Sequence, residues 1–471
     1  MGDADRAPRT VVIVGAGAFG LATALALLDR PSFKDARITI LEAATILPNP
    51  VGSSVDSSRI IRADYSHISY ARLATEAQTH WRDTSDSGWG GQQRYSETGF
   101  LLTANPNADN YVQSSLRNVQ SLAERGLEID ASKIRTFDSP DSICKGARLP
   151  GCSGQTGYLN LNSGWASADH CITHALHLLK THPEGHRVEL VTGTRIADLR
   201  YNSTTGQCVG VSLADQSDIS ADLTILATGA WTPSIYRLQN RALATGQVIG
   251  YIRITQEEQD YLQDSPVVMN LSTGLFIVPP RDCELKVARH GYGYRSFISD
   301  HNPGQSISIP CAGYQALPEE AEKALRDCFE AWFPKTLPDT FDGPKTLHDI
   351  STRPWTQTRI CWYTDTPSGN FMIDYPPLPT LPQNKNTSLF LATGGSGHGF
   401  KFLPVLGKYI VDAVEGNLDD EYRELWQWKE HEDTDFLKNK HGEFVGCADG
   451  SRAGKLGMIL EDELKNSMQI A

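Results

Sequence analysis

The stretch TVVIVGAGAFGLATALALLD, residues 10–29, decides the fold. Thr10 to Val14 is β-branched without polar alternation, which reads as a strand buried on both faces. Gly15-Ala16-Gly17-Ala18-Phe19-Gly20 follows at once, and Leu21 to Asp29 is an Ala/Leu-rich helix. Arg37 to Leu41 (RITIL) is a second buried strand that ends at Glu42. In such a GxGxxG turn the first glycine makes the tight bend. The second lets the backbone approach a pyrophosphate, and the third lets the helix pack on the strand. The helix start offers free N–H groups and a partial positive charge to phosphates. An acid at the end of the next strand accepts from ribose hydroxyls and repels a 2′-phosphate. Strand, glycines, helix, strand and acid in that order predict a dinucleotide-binding βαβ unit.

Outward from this unit, Arg187 to Val191, Leu223 to Ala227 and Leu389 to Ala392 read as further buried strands. Leu223 to Ala227 runs into the small-residue turn Thr228-Gly229-Ala230-Trp231. Leu389 to Ala392 runs into Gly394-Gly395-Ser396-Gly397-His398-Gly399, before a helix from about Pro404 to Glu415. A second glycine-rich turn at a helix start suits another part of a long cofactor such as FAD. Helical spacing also marks Tyr70 to Arg82, Ser167 to Leu179 and Glu319 to Trp332. Between about 245 and 315 the texture changes to short alternating segments, which predict an antiparallel sheet. The class is therefore α/β. These segments predict a discontinuous Rossmann-like dinucleotide-binding domain (1–65, 157–245 and 345–435), suited to FAD, with an inserted antiparallel-sheet α+β substrate domain (66–156 and 246–344). The motifs of this chain resemble those of the glutathione reductase and D-amino acid oxidase type of FAD-binding domain. A C-terminal tail (436–471) is left over.

The chain has 471 residues, 40% of them hydrophobic and 21% charged, with a formal charge of −13. That is a globular composition, and its acidity argues against a phosphate-backbone binder. No run of 18 apolar residues is present, so no membrane span is expected. Nine cysteines, an odd number with no CxxC pair, argue against a disulfide framework or a zinc site, so no metal is expected. With no secretory or peroxisomal signal read from the ends, the expected compartment is the cytoplasm.

Several motifs together resemble the sarcosine oxidase-like flavoenzymes of fungi and bacteria. That group includes monomeric sarcosine oxidase, pipecolate and saccharopine oxidases, and the fructosyl amino acid oxidases (amadoriases). The motifs are the VIVGAGAFGLATA opening, GSSVDSSRIIRADYS (52–66), ATGAWT (227–232), LKVARH (285–290), ICWYTDTPSGNFMID (360–374) and GGSGHGFKF (394–402). The resemblance implies FAD held by Gly15, Gly17, Ala18, Phe19, Gly20, Glu42, Ser58, Gly229, Trp231, Gly395, Gly397, His398, Gly399 and Phe400. It implies a thioether from Cys361 to the flavin, Arg59 over the flavin ring, and Tyr363 lining the substrate cavity. Arg62 and Lys401 would bind the substrate carboxylate, the chemistry for which a guanidinium fork is suited. Lys286 would promote reaction of the reduced flavin with O₂, and His290 would sit near the substrate amine. On an alternating strand residues 286, 288 and 290 face the same way.

The reaction these features imply is oxidation of a secondary (N-methyl or cyclic) amino acid to an imine with release of H₂O₂. The imine is then hydrolysed, or captured internally in an oxidative cyclisation. The partners expected are a small amino acid and O₂, with no nucleic acid or membrane and a monomeric protein. Amadoriases carry acidic residues two to four places after the lysine, where this chain has Ala288, Arg289 and His290. That favours a sarcosine-type site over fructosyl amines; saccharopine or pipecolate oxidation stands as a further alternative. An NAD-dependent dehydrogenase or a non-catalytic nucleotide-binding protein is the contrasting class, and it would be colourless.

Overall fold

The GxGxxG-flanking strand Thr10–Val14 pairs in parallel with Arg37–Leu41 on one side and Leu223–Leu226 on the other. In the computed structural model, which describes residues 7–106, 108–238, 241–299, 306–311, 316–429 and 446–470, the chain forms two units.

The first unit comprises 1–56, 168–244 and 363–436 within those bounds. Its six-stranded sheet runs, edge to edge, Met372–Asp374, Leu389–Thr393, Leu223–Leu226, Thr10–Val14, Arg37–Leu41, Val188–Val191. All pairings are parallel except that of Met372–Asp374. Helix Ala18–Asp29 buries Leu21, Ala24, Leu27 and Leu28, and packs against helix Leu403–Val414 and helix Ala168–Thr181. A Cβ on Gly20 would lie 1.9 Å from the Gly15 carbonyl oxygen, so only glycine lets the helix start so close to the strand end. A three-stranded sheet (Ile196–Tyr201, Cys208–Leu213, Asp218–Ser220) closes the apolar core around Val12, Leu226 and Leu391.

The second unit comprises 57–167, 245–362 and 437–471. Its ten-stranded sheet is mixed. Most pairings are antiparallel, as the alternation predicts, but Val267–Asn270 runs parallel to Phe100–Ala104, and Met458–Ile459 parallel to Tyr294–Arg295. Helix Glu319–Trp332 lays Ala321, Leu325, Phe329 and Trp332 against this sheet. A small sheet joins Arg59–Ile61 and Tyr95–Ser96 to Gly164–Ala166.

The unit boundaries differ from those expected from sequence. Residues 57–65 belong to the second unit because Arg59–Ile61 pairs with Gly164–Ala166. Residues 355–362 of strand Trp355–Asp365 are also in the second unit, where the strand pairs with Leu243–Arg253. The described part of the tail is no appendage: Met458–Ile459 adds a strand to the large sheet and helix Leu460–Ile470 follows it. Residues 436–445 lie outside the described residues. No helix among the described residues is long and apolar enough to cross a membrane.

Candidate active site

In the first unit, Gly17 caps helix Ala18–Asp29 without a side-chain hydrogen bond, and the first turn carries no acid. The N-cap residue itself therefore supplies no side-chain acceptor, which suits the helix start to an anion. Ala18 N–H donates to Ser54 Oγ at 2.9 Å. Glu42 is buried at the strand end and accepts from Ala16 N–H (2.9 Å), Ala44 N–H (3.0 Å) and Asn49 Nδ2 (3.1 Å). A carboxylate offers about four lone-pair positions, so Glu42 retains capacity for a hydroxyl.

The two glycine turns meet through rings. Phe19 meets Phe371 edge-on (centroids 5.5 Å apart), and Phe371 stacks on the His398 imidazole (4.9 Å). His398 Nε2 lies 2.8 Å from the Gly369 carbonyl. This histidine is therefore built into the scaffold of the turn. Gly397, at φ +68°, runs against Tyr363, where a Cβ would lie 2.3 Å from the ring. Lys401 is buried and donates to the His398 carbonyl at 2.8 Å. Trp231 is 38% exposed in the turn that begins with Gly229, and Gly395 and Phe400 flank the second turn.

In the second unit, residues far apart in sequence converge on Ser58. Lys286, on strand Glu284–Arg289, is buried and donates to the Ser58 carbonyl (2.9 Å) and Oγ (3.3 Å). Arg59 donates to the same carbonyl at 3.0 Å and reaches Cys361 Sγ at 3.5 Å. Cys361 is itself buried on strand Trp355–Asp365. Lys286, Arg59 and Cys361 thus form one cluster.

Arg62 follows the end of strand Arg59–Ile61 and is buried. Its guanidinium carbon lies 4.6 Å from the Tyr65 ring centroid and 5.4 Å from that of Phe100. Burial alone would lower its pKa, but Tyr111, Tyr65 and Asp64 outweigh it and hold the group above its ordinary value, hence charged. Its Nη1 has no partner among the described residues. Burial raises the Asp64 carboxyl above its ordinary range, against hydrogen bonds from Ser163 (2.7 Å) and Asn160 (3.0 Å). A buried cation with an unmet donor is costly unless an anion arrives.

His290 follows the Lys286 strand with its imidazole between Ser451 Oγ (3.1 Å, at Nε2) and Arg452 Nη1 (3.3 Å, at Nδ1). Arg289 turns the other way and pairs with Glu320 at 2.9 Å, as strand alternation requires. Sequence reasoning missed the Ser58 carbonyl, Tyr65, Tyr111 and the tail residues 449–452. Tyr65 lies inside the 52–66 motif and carries a faint signal; Tyr111 and the tail contacts carry none. Among the described residues no group of three or more His, Cys, Asp or Glu could hold a metal ion.

A glycine-framed parallel sheet with an acid at the second strand end, and a second glycine turn before a helix, define a dinucleotide-dependent redox protein. The chain belongs to the FAD dependent oxidoreductase family (DAO), whose pattern matches residues 10–413. It is 32% identical to the amino acid oxidase imqH of Aspergillus flavus over 461 residues, covering 87% of this chain and 93% of that protein. It is 28% identical to the L-saccharopine oxidase of Schizosaccharomyces pombe, covering 91% and 95%. Among solved structures, fructosyl amine:oxygen oxidoreductase (amadoriase I) of Aspergillus fumigatus superposes with a TM-score of 0.76 at 26% identity, over 96% of this chain and 95% of that one. FAD is the cofactor of the family. The glycine N-cap, the close-packed Gly20 and the remaining acceptor capacity of Glu42 fit its phosphates and ribose.

Proposed function

We propose that this protein is an FAD-dependent oxidase of a secondary amino acid. The observation that carries the reading is Arg62, a buried, charged guanidinium with one donor unmet among the described residues. Such a group fits a carboxylate, which accepts two parallel N–H bonds from a guanidinium fork. Its relatives include proteins named amino acid oxidase, L-saccharopine oxidase and monomeric sarcosine oxidase, which supports the same substrate class. FAD, when bound, accepts two electrons and hydrogen from the CH–NH bond and passes them to O₂, so that the net products are imine and H₂O₂.

The chain's own residues supply the rest. Arg62 anchors the carboxylate, and Lys401 is proposed as the second cation for it. The cationic surroundings favour the neutral amine, the form with a lone pair to drive oxidation. Lys286, held by the Ser58 carbonyl, supplies a fixed positive charge where O₂ gains electrons. Cys361 is proposed to carry the flavin through a thioether, with Arg59 against its sulfur. Tyr363 is proposed to line the substrate cavity. His290 holds a positioning role, because both ring nitrogens already have partners. The imine is hydrolysed, or captured by a nucleophile within the same molecule. We further read the protein as monomeric and cytoplasmic, which size-exclusion chromatography and cell fractionation test.

Purified protein is expected to be yellow and to release H₂O₂ with N-methyl amino acids. A colourless preparation, or no peroxide across aliphatic and aromatic N-methyl amino acids, overturns the reading. Ala288, Arg289 and His290 stand where amadoriases are acidic, so fructosyl-valine and fructosyl-lysine are expected to be poor substrates.

A further inference from the structure

A cavity of about 600 Å³ lies wholly within the second unit, and part of its wall is the C-terminal tail. Its lining includes Asp449, Gly450 and Arg452 of the tail together with Tyr111, Ser114 and Ser272. The segment is anchored: Ala453 bridges to Gly291, and Met458–Ile459 completes the sheet beside Tyr294–Arg295. Two of its lining residues neighbour the proposed substrate site. Tyr111 lies close enough to Arg62 to help hold its charge, and Arg452 hydrogen-bonds His290.

The hydrogen bonds around His290 form a directed chain. The single proton of the Ser451 hydroxyl goes to the Asp449 carboxylate, 2.7 Å away, because an ionised carboxylate only accepts. Ser451 therefore accepts from His290 Nε2–H, and Nδ1 accepts from Arg452. The tail thereby fixes His290 as one neutral tautomer. It also places one negative and one positive side chain on the same wall. Opposite charges side by side suit an uncharged polar group better than a net ion. A volume of about 600 Å³ far exceeds what a glycine-derived substrate fills.

Building on the proposed oxidase activity, we infer that segment Asp449–Gly454 selects the substrate. The amino acid anchored by Arg62 extends into this cavity a bulky side chain that ends in an uncharged hydrogen-bond donor, which Asp449 accepts. Sequence motifs place no part of the tail in the substrate site.

Three probes separate volume from polarity: sarcosine has no side chain, N-methylphenylalanine has bulk without a donor, and N-methyltyrosine has both. With the flavin-loaded full-length enzyme, kcat/KM from peroxide release is expected to rise in that order, by tenfold or more from end to end. Asp449→Asn is expected to reduce kcat/KM for N-methyltyrosine at least tenfold more than for N-methylphenylalanine. Ser114→Phe, which fills the cavity from helix Asn110–Glu124, is expected to reduce both aromatic substrates relative to sarcosine. Equal use of all three probes by the wild type, or unchanged ratios in both variants, overturns the inference while leaving the oxidase reading intact. If no probe reduces the flavin even anaerobically, the oxidase reading fails, and this inference with it. Two variants are used so that misfolding of one, seen as lost flavin absorbance, leaves the other decisive.

Discussion

Replacing Arg62 by methionine separates a binding group from a structural one. In the proposed complex the guanidinium gives a carboxylate two charge-assisted hydrogen bonds, each contributing about 1.5–3 kcal/mol. Their loss together raises the barrier from free enzyme and substrate by about 3–6 kcal/mol, or roughly two to four decades in kcat/KM at about 1.4 kcal/mol per decade. Stability is expected to respond differently. In the ligand-free fold Arg62 keeps one buried donor unmet among the described residues, at a cost of about 1–3 kcal/mol. Against that stand its cation–π contacts with Tyr65 at 4.6 Å and Phe100 at 5.4 Å, contributing about 1 kcal/mol each. These nearly cancel, so the melting temperature of the variant without ligand is expected to stay within a few degrees of wild type. Arg62→Lys keeps the charge but not the fork and is expected to fall between the two in kcat/KM. The assays are peroxide release under varied substrate, thermal melting, and titration with acetate monitored by the flavin bands. Acetate is expected to perturb wild type and not Arg62→Met. A methionine variant that keeps kcat/KM within threefold, or that unfolds many degrees earlier, refutes the assignment.

Cys361→Ser is expected to release its flavin into the supernatant on acid precipitation, whereas wild-type flavin stays in the pellet; release from wild type counts against the thioether. Lys286→Met is expected to slow reoxidation of the reduced flavin by O₂ about a hundredfold, with anaerobic reduction by substrate changed less than threefold, as stopped-flow absorbance reads separately. Burial alone would raise the Glu258 pKa, but hydrogen bonds from both arms of Arg353 (2.6 and 2.7 Å), from Thr346 and from the Thr255 N–H lower it to about 2. Because the folded value lies below the ordinary 4.5, this stabilisation of up to about 3 kcal/mol is present above pH 4.5 and lost as the pH falls toward 2. Urea unfolding of wild type is expected to weaken across that window more steeply than that of Glu258→Gln.

Residues 10–42 determined the nucleotide-binding half by themselves. Buried parallel strands, a glycine turn and a helix start are local features, written in contiguous residues by β-branching, missing side chains and free N–H groups. Helix Glu319–Trp332 was legible to the residue for the same reason, its apolar face repeating at helical spacing. Motif matching also picked out Lys286, Arg59 and Cys361 one by one, but only the fold gathered them around the Ser58 carbonyl. Which unit owns residues 57–65 was decided by a strand pairing across the chain, and strand pairing has no local signature. The tail is the extreme case. Asp449 and Arg452 sit in a polar stretch that reads as surface, and become part of the wall of a cavity only because Met458–Ile459 finds an open sheet edge beside Tyr294–Arg295. Periodicity reports what a segment buries; which distant segment it is buried against depends on the closure of the whole chain.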